Sequence, residues 1–137
     1  MSRSGYSDDC CGRELDLWRG AVDSAIRGKR GQAFLRELIA TMNAMPVKRL
    51  IAHDLIANGE VCAIGSVAVA RGVDVSGLNP DNSKGIARCM GIANALVKEI
   101  AFINDDDDFA YSSELTPEQR FSRVYEWARS QLRSSAP

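Results

Sequence analysis

Two helical periodicities, broken by one glycine-bearing corner, constrain this chain more than any other feature. Leu15, Trp18, Val22, Ala25 and Ile26 recur at three- and four-residue steps, and so do Phe34, Leu35, Leu38, Ile39, Met42 and Met45. That step puts each set on one face of an α-helix; a strand would alternate instead. Between the two sets stands Arg27-Gly28-Lys29-Arg30-Gly31-Gln32. Gly28 is a natural helix stop, and Pro46 forbids continuation of the second run. The spacing predicts one helix over residues 13–27 and another over 31–44. Helices joined by so few residues must pack as an antiparallel or steeply crossed hairpin.

The rest of the chain extends this pattern. Residues 62–72 are almost uncharged on all sides, which predicts a short central helix buried by its neighbours and closed by Gly72. Asn79-Pro80-Asp81 marks a loop before a further helix over 83–102, whose stripe is Ile86, Met90, Ala93, Leu96 or Val97, and Ile100. Thr116-Pro117-Glu118-Gln119 opens the last helix with an N-cap, a proline at the first helical position and a capping box. Phe121, Val124, Tyr125, Ala128 and Leu132 are its inner stripe. Asn58-Gly59 favours a tight turn, so 49–51 and 60–62 are read as short strands of a ribbon, in preference to one or two helical turns. The expected architecture is a mainly α single domain of about five helices over 13–133, with a small two-stranded β-ribbon. Residues 1–12 are expected to form a flexible arm or an irregular cap, and 134–137 to fray.

Composition narrows the function classes. At 137 residues the chain is one domain's worth, and its 45% apolar and 26% charged residues are ordinary for a globular protein. No apolar run of about 18 residues predicts a membrane span, and Met1-Ser2-Arg3-Ser4-Gly5 lacks the apolar core of a secretory signal, so a cytoplasmic location is expected. The net charge of -1 is unevenly spread. Residues 13–50 hold eight Lys/Arg against four Asp/Glu, a net +4, while 81–110 hold three against six, a net -3. Such asymmetry steers a partner or a second copy, or neutralises itself within one fold.

The basic corner is the first candidate site. Arg27, Lys29 and Arg30, extended by Arg36, Lys48 and Arg49, suit phosphates or a carboxylate-rich protein surface. A sequence pI near 5.8 is unlike that of a dedicated nucleic-acid binder. A P-loop is excluded, since no glycine stands five residues before Gly28 and Arg30 replaces Ser/Thr. Asp105, Asp106, Asp107 and Asp108 lack the alternating ligands of a calcium loop and are read as a solvated helix end, or as a docking patch for a basic partner. Trp127 lies beside its helix's stripe, as a partner anchor or as a lid over the core edge.

No metal, cofactor or catalytic residue is expected. Cys10, Cys11, Cys62, Cys89 and His53 lack the paired short spacings of a zinc site. Cys62 and Cys89 read as small core hydrophobes. A Cys62/His53/Asp54 constellation can be written down, but adjacent residues rarely face one point and the sequence neighbours of Cys62 are apolar.

The chain resembles a group of small proteins from tailed bacteriophages and prophages. The likeness rests on Trp18, on 25–35 (AIRGKRGQAFL), on 61–65 (VCAIG), on 100–105 and on the Thr116-Pro117-Glu118 helix start, and spans most of 5–133. It brings no activity with it. It implies a phage-carried gene expressed in a bacterial cytoplasm, and small phage accessory proteins often bind and block host machinery, including CRISPR-Cas effectors and other defence systems. The expected function is therefore that of a non-enzymatic protein that binds a host bacterial protein and inhibits it by occlusion, of the anti-CRISPR type. The alternative is a nucleic-acid or nucleotide-binding module using the same corner. A homodimer is compatible with both.

Overall fold

In the computed structural model, which describes Arg3, residues 13–105 and residues 115–133, a single residue separates the first two helices; in α1 the described side chains begin at Leu17. α1 (Arg13–Arg27) stops at Gly28, and α2 (Lys29–Ala44) starts immediately after it. Gly28 is extended (φ -68°, ψ 163°) and serves as the N-cap of α2, although it has no side chain to cap with. The second helix therefore begins two residues earlier than its apolar spacing suggests. Lys29 and Arg30 belong to its first turn and not to a loop.

Beyond Ala44 the chain forms a hairpin, β1 (Ile56–Ala57) and β2 (Glu60–Val61). Asn58 and Gly59 both have positive φ (54° and 77°). A two-residue turn of that kind pairs its flanking residues directly, here Ala57 with Glu60 and Ile56 with Val61. This corrects the expected first strand at 49–51. That segment instead reaches the other side of β2 through one bond, from the Ile51 N–H to the Val61 carbonyl (2.9 Å).

α3 (Ala63–Arg71) follows at once. Its residues Ala63 to Ala68 are buried in unbroken succession, and Gly72 closes it in the left-handed conformation (φ 74°). A Cβ on Gly65 would stand 2.0 Å from the Leu55 carbonyl oxygen, so only glycine lets the hairpin approach lie against α3. The predicted helix over 83–102 is two helices, α4 (Ser83–Met90) and α5 (Asn94–Asp105). Gly91 adopts φ 71°, and the N–H groups of Gly91 and Ile92 both turn back to the Ala87 carbonyl (2.9 and 3.2 Å). Of the expected apolar stripe Ile86, Met90, Leu96, Val97 and Ile100 are buried, but Ala93 is only partly buried, in the break between the helices, and the axis bends at Gly91. α6 (Pro117–Gln131) opens with the full capping box, Thr116 and Gln119 each bonding the other's backbone N–H.

The fold is mainly helical, six helices among the described residues with one two-stranded hairpin. α2 and α5 are its two principal members, and α1, α3 and α6 each pack against both. Leu35, Leu38, Met42, Val67, Leu96 and Val124 are wholly buried in the shared core. Charged side chains tie the periphery together. Arg71 pairs with Glu37 (2.5 Å) and also donates to the Met90 carbonyl (2.9 Å), and Arg19 reaches Glu99 (2.9 Å). Cys62 is buried as expected, but Cys89 is exposed, at the flank of the α4 face that buries Ile86 and Met90. The arm at 1–12 (Arg3 apart), the tail at 134–137, Cys10, Cys11 and the side chain of Leu15 lie outside the described residues.

Candidate interaction surface

The corner between α1 and α2 is built on two contacts that the sequence conceals. A Cβ on Gly31 would lie 1.9 Å from the Ala25 carbonyl oxygen, so the last turn of α1 rests directly on α2. Gln32, itself buried, donates through Nε2 to the carbonyls of Ile26 (2.8 Å) and Gln131 (3.0 Å). Its Oε1 accepts from the Arg133 N–H (2.8 Å). One amide thus fastens the end of α1, the start of α2 and the end of α6 together. A fully satisfied buried amide of this kind fixes geometry as well as adding stability.

On this platform stand Arg27, Lys29 and Arg30, all exposed and without an ion-pair partner among the described residues. Arg36 lies on the same outward face of α2 as Lys29, about 10 Å further along at 1.5 Å per residue. The backbone of Arg133, an exposed residue, comes to the same corner through its N–H bond to Gln32, a neighbour that sequence spacing gives no means of finding. Asp23, one turn before Arg27, is exposed and is the acid nearest to it in sequence.

The electrostatics of the corner are unfavourable to the isolated fold. A helix N-terminus carries partial positive charge and prefers acids in its first turn. The first turn of α2 holds no acid, has Lys29 and Arg30 instead, and lacks a side-chain cap. Each misplaced cation costs about 0.3–1 kcal/mol at low salt. Arg27, at the end of α1, is favourably placed by the same rule.

The other expected site residues do not join this cluster. Lys48 lies past the far end of α2, where its Nζ donates to the carbonyls of Met42 (2.9 Å) and Asn43 (2.7 Å). It caps the carbonyls of that helix end, the Met42 oxygen also accepting from the Met45 N–H (3.2 Å). Arg49 lies beside it in sequence and pairs with Glu60 (2.7 Å). Trp127 is partly buried and packs against the core.

Asp105 corrects the expectation of a solvated acidic helix end; Asp106, Asp107 and Asp108 lie outside the described residues. The Asp105 side chain has no exposed surface and meets Arg3, which is buried too. Burial pushes its carboxyl up, but the Arg3 guanidinium, the His53 N–H and the Asn104 amide outweigh it and hold it below the usual aspartate value. Burial likewise opposes the charge on Arg3, and Cys62 and Asp105 beside it more than compensate, leaving it above the ordinary arginine value.

His53 faces Asp105, with Nδ1 3.7 Å from Oδ2, rather than Asp54 or Cys62. Cys62 Sγ accepts from the Gly65 N–H (3.3 Å) and lies 3.7 Å from Arg3 Nη1, so its surroundings are more polar than its sequence neighbours suggest. Among the described residues no group of three or more His, Cys, Asp or Glu could hold a metal ion, and no helix is long and apolar enough to cross a membrane. No family model, curated protein or solved structure matches the chain.

Proposed function

We propose that this protein is a non-enzymatic binding module that captures an acidic surface of a host bacterial protein through Arg27, Lys29 and Arg30, and inhibits that partner by occlusion. One observation carries the reading. Cations sit at the disfavoured end of α2, without ion-pair partners among the described residues, on a platform that Gln32 and Gly31 hold rigid. A fold optimised only for stability would place acids there. Charges left unspent on a rigid mount orient an anionic partner and speed its capture. Arg36 and Arg133 widen the same patch. The resemblance to tailed-phage proteins implies a bacterial cytoplasm as the setting, and the anti-defence role of the anti-CRISPR type is drawn by analogy with small phage accessory proteins.

The test is replacement of Arg27, Lys29 and Arg30 by Glu together, followed by affinity purification from bacterial extract with a nuclease-treated control. Capture of the same host proteins by the native and charge-reversed chains would refute the reading. Nucleic acid is the second reading, favoured by the uncapped first-turn N–H groups of α2, which suit a phosphate. It predicts binding that weakens steeply with salt, and a gel shift at low salt decides it.

A further inference from the structure

The end of α5 carries a buried carboxylate that the basic corner does not use. Asp105 Oδ1 accepts from the His53 N–H (3.0 Å) and from Asn104 Nδ2 (3.0 Å). Asn104 is itself fixed, donating to the Ile51 carbonyl (2.9 Å) and accepting from the Ala63 N–H (2.9 Å). His53 has a left-handed backbone (φ 71°), uncommon outside glycine, and its N–H is the one that bonds the carboxylate. These contacts hold the carboxylate in place without any help from Arg3.

What remains is a set of acceptors shaped for one kind of donor. Arg3 meets Asp105 in a parallel fork, Nε to Oδ2 at 2.5 Å and Nη2 to Oδ1 at 2.6 Å. Its remaining nitrogen, Nη1, lies 3.3 Å from the Asp54 carbonyl and 3.7 Å from Cys62 Sγ. An ammonium is a point donor and cannot serve both sides of such a site, whereas a planar guanidinium can. Among the described residues Asp54, Cys62 and Asp105 supply the acceptors, and the guanidinium comes from before α1.

We propose that Asp105, the Asp54 carbonyl and Cys62 form a binding socket selective for monosubstituted guanidinium groups. Arg3 fills it in cis. With the Arg3 side chain cut back, the socket takes a free alkylguanidinium, the group that any arginine side chain also presents.

The experiment uses the full chain carrying Arg3→Ala, with methylguanidinium as probe and methylammonium as control. At ten times the dissociation constant the melting midpoint of Arg3→Ala rises by about 4 °C, and it goes on rising with the logarithm of the probe concentration. Methylammonium leaves it unchanged, the native chain with its filled socket shows no rise, and Arg3→Ala/Asp105→Asn shows none. If Arg3→Ala does not fold alone, the readout is recovery of helical signal on refolding with each probe. The double variant, which lacks the unpaired buried charge, is then the folding control. The proposal is overturned if methylguanidinium neither raises the midpoint nor restores folding, if methylammonium serves equally well, or if the double variant responds in the same way.

Discussion

Gly31 and Gly20 are both helical glycines, and replacing each by alanine separates local preference from tertiary contact. In a helix interior alanine is favoured over glycine by about 1 kcal/mol. At Gly20 the added Cβ meets nothing within 4 Å, so Gly20→Ala gains about 0.5–1 kcal/mol. At Gly31 the same atom lands 1.9 Å from the Ala25 carbonyl oxygen, about 1.5 Å inside the 3.4 Å at which ordinary contact begins. The obstacle is backbone, with the Ile26 oxygen also at 3.0 Å, so no side chain can rotate away. Relief requires α1 to lift from α2, which strains the bond from Gln32 to the Ile26 carbonyl. Overpacking costs about 1–3 kcal/mol and a weakened buried hydrogen bond about 1 kcal/mol more. After the helix gain, Gly31→Ala loses about 1–3 kcal/mol, a fall in melting midpoint of about 4–12 °C, whereas Gly20→Ala rises by about 2–4 °C. Thermal melts followed by far-UV circular dichroism read both. A Gly31→Ala chain melting at or above the native midpoint would refute the close contact on which the rigid corner depends.

Two further outcomes follow from the charges. Gly28→Asp supplies the missing cap of α2 and an acid at its positive end; its Cβ has room, the nearest atom being the Ser24 oxygen at 3.5 Å. Denaturant midpoints should show a gain of about 0.5–1 kcal/mol while capture of an acidic partner weakens, and a variant that is stabilised but binds undiminished would contradict the proposed role of the corner. Asp105 is held below its ordinary pKa when folded, so its contribution is fully present above about pH 4 and is lost as pH falls through the lowered folded value. Urea midpoints of the native chain should therefore drop more steeply below about pH 4 than those of Arg3→Ala/Asp105→Asn, and superimposable acid limbs would show that the pair is not linked to folding.

Local signals made much of the architecture legible. Apolar residues at helical spacing located α1, the body of α2 and α6, because one buried stripe per helix is required wherever a helix packs on a core. The almost uncharged run at 62–72 announced a central helix, found at Ala63–Arg71. The capping box at Thr116 is written entirely in adjacent residues, so it could be read without coordinates. The split at Gly91 was harder, since a stripe such as Ile86, Met90, Leu96 and Ile100 has the same period whether or not the axis bends within it. Likewise Asn58-Gly59 named the turn but left its partner strand open, and direct pairing across two residues settled it.

The sequence by itself therefore determined the helical class, most of the helix ends and the cluster of cations at 27–30, because each depends on residues within one or two turns of one another. Only the tertiary structure decided which charges are spent and which are free. Arg3 and Asp105 are 102 residues apart, Gln32 and Gln131 are 99, and no local pattern encodes either meeting. Burial separates a solvated aspartate from the anchor of a guanidinium. Burial is a property of the assembled packing, to which a side chain's sequence neighbours contribute only a small part.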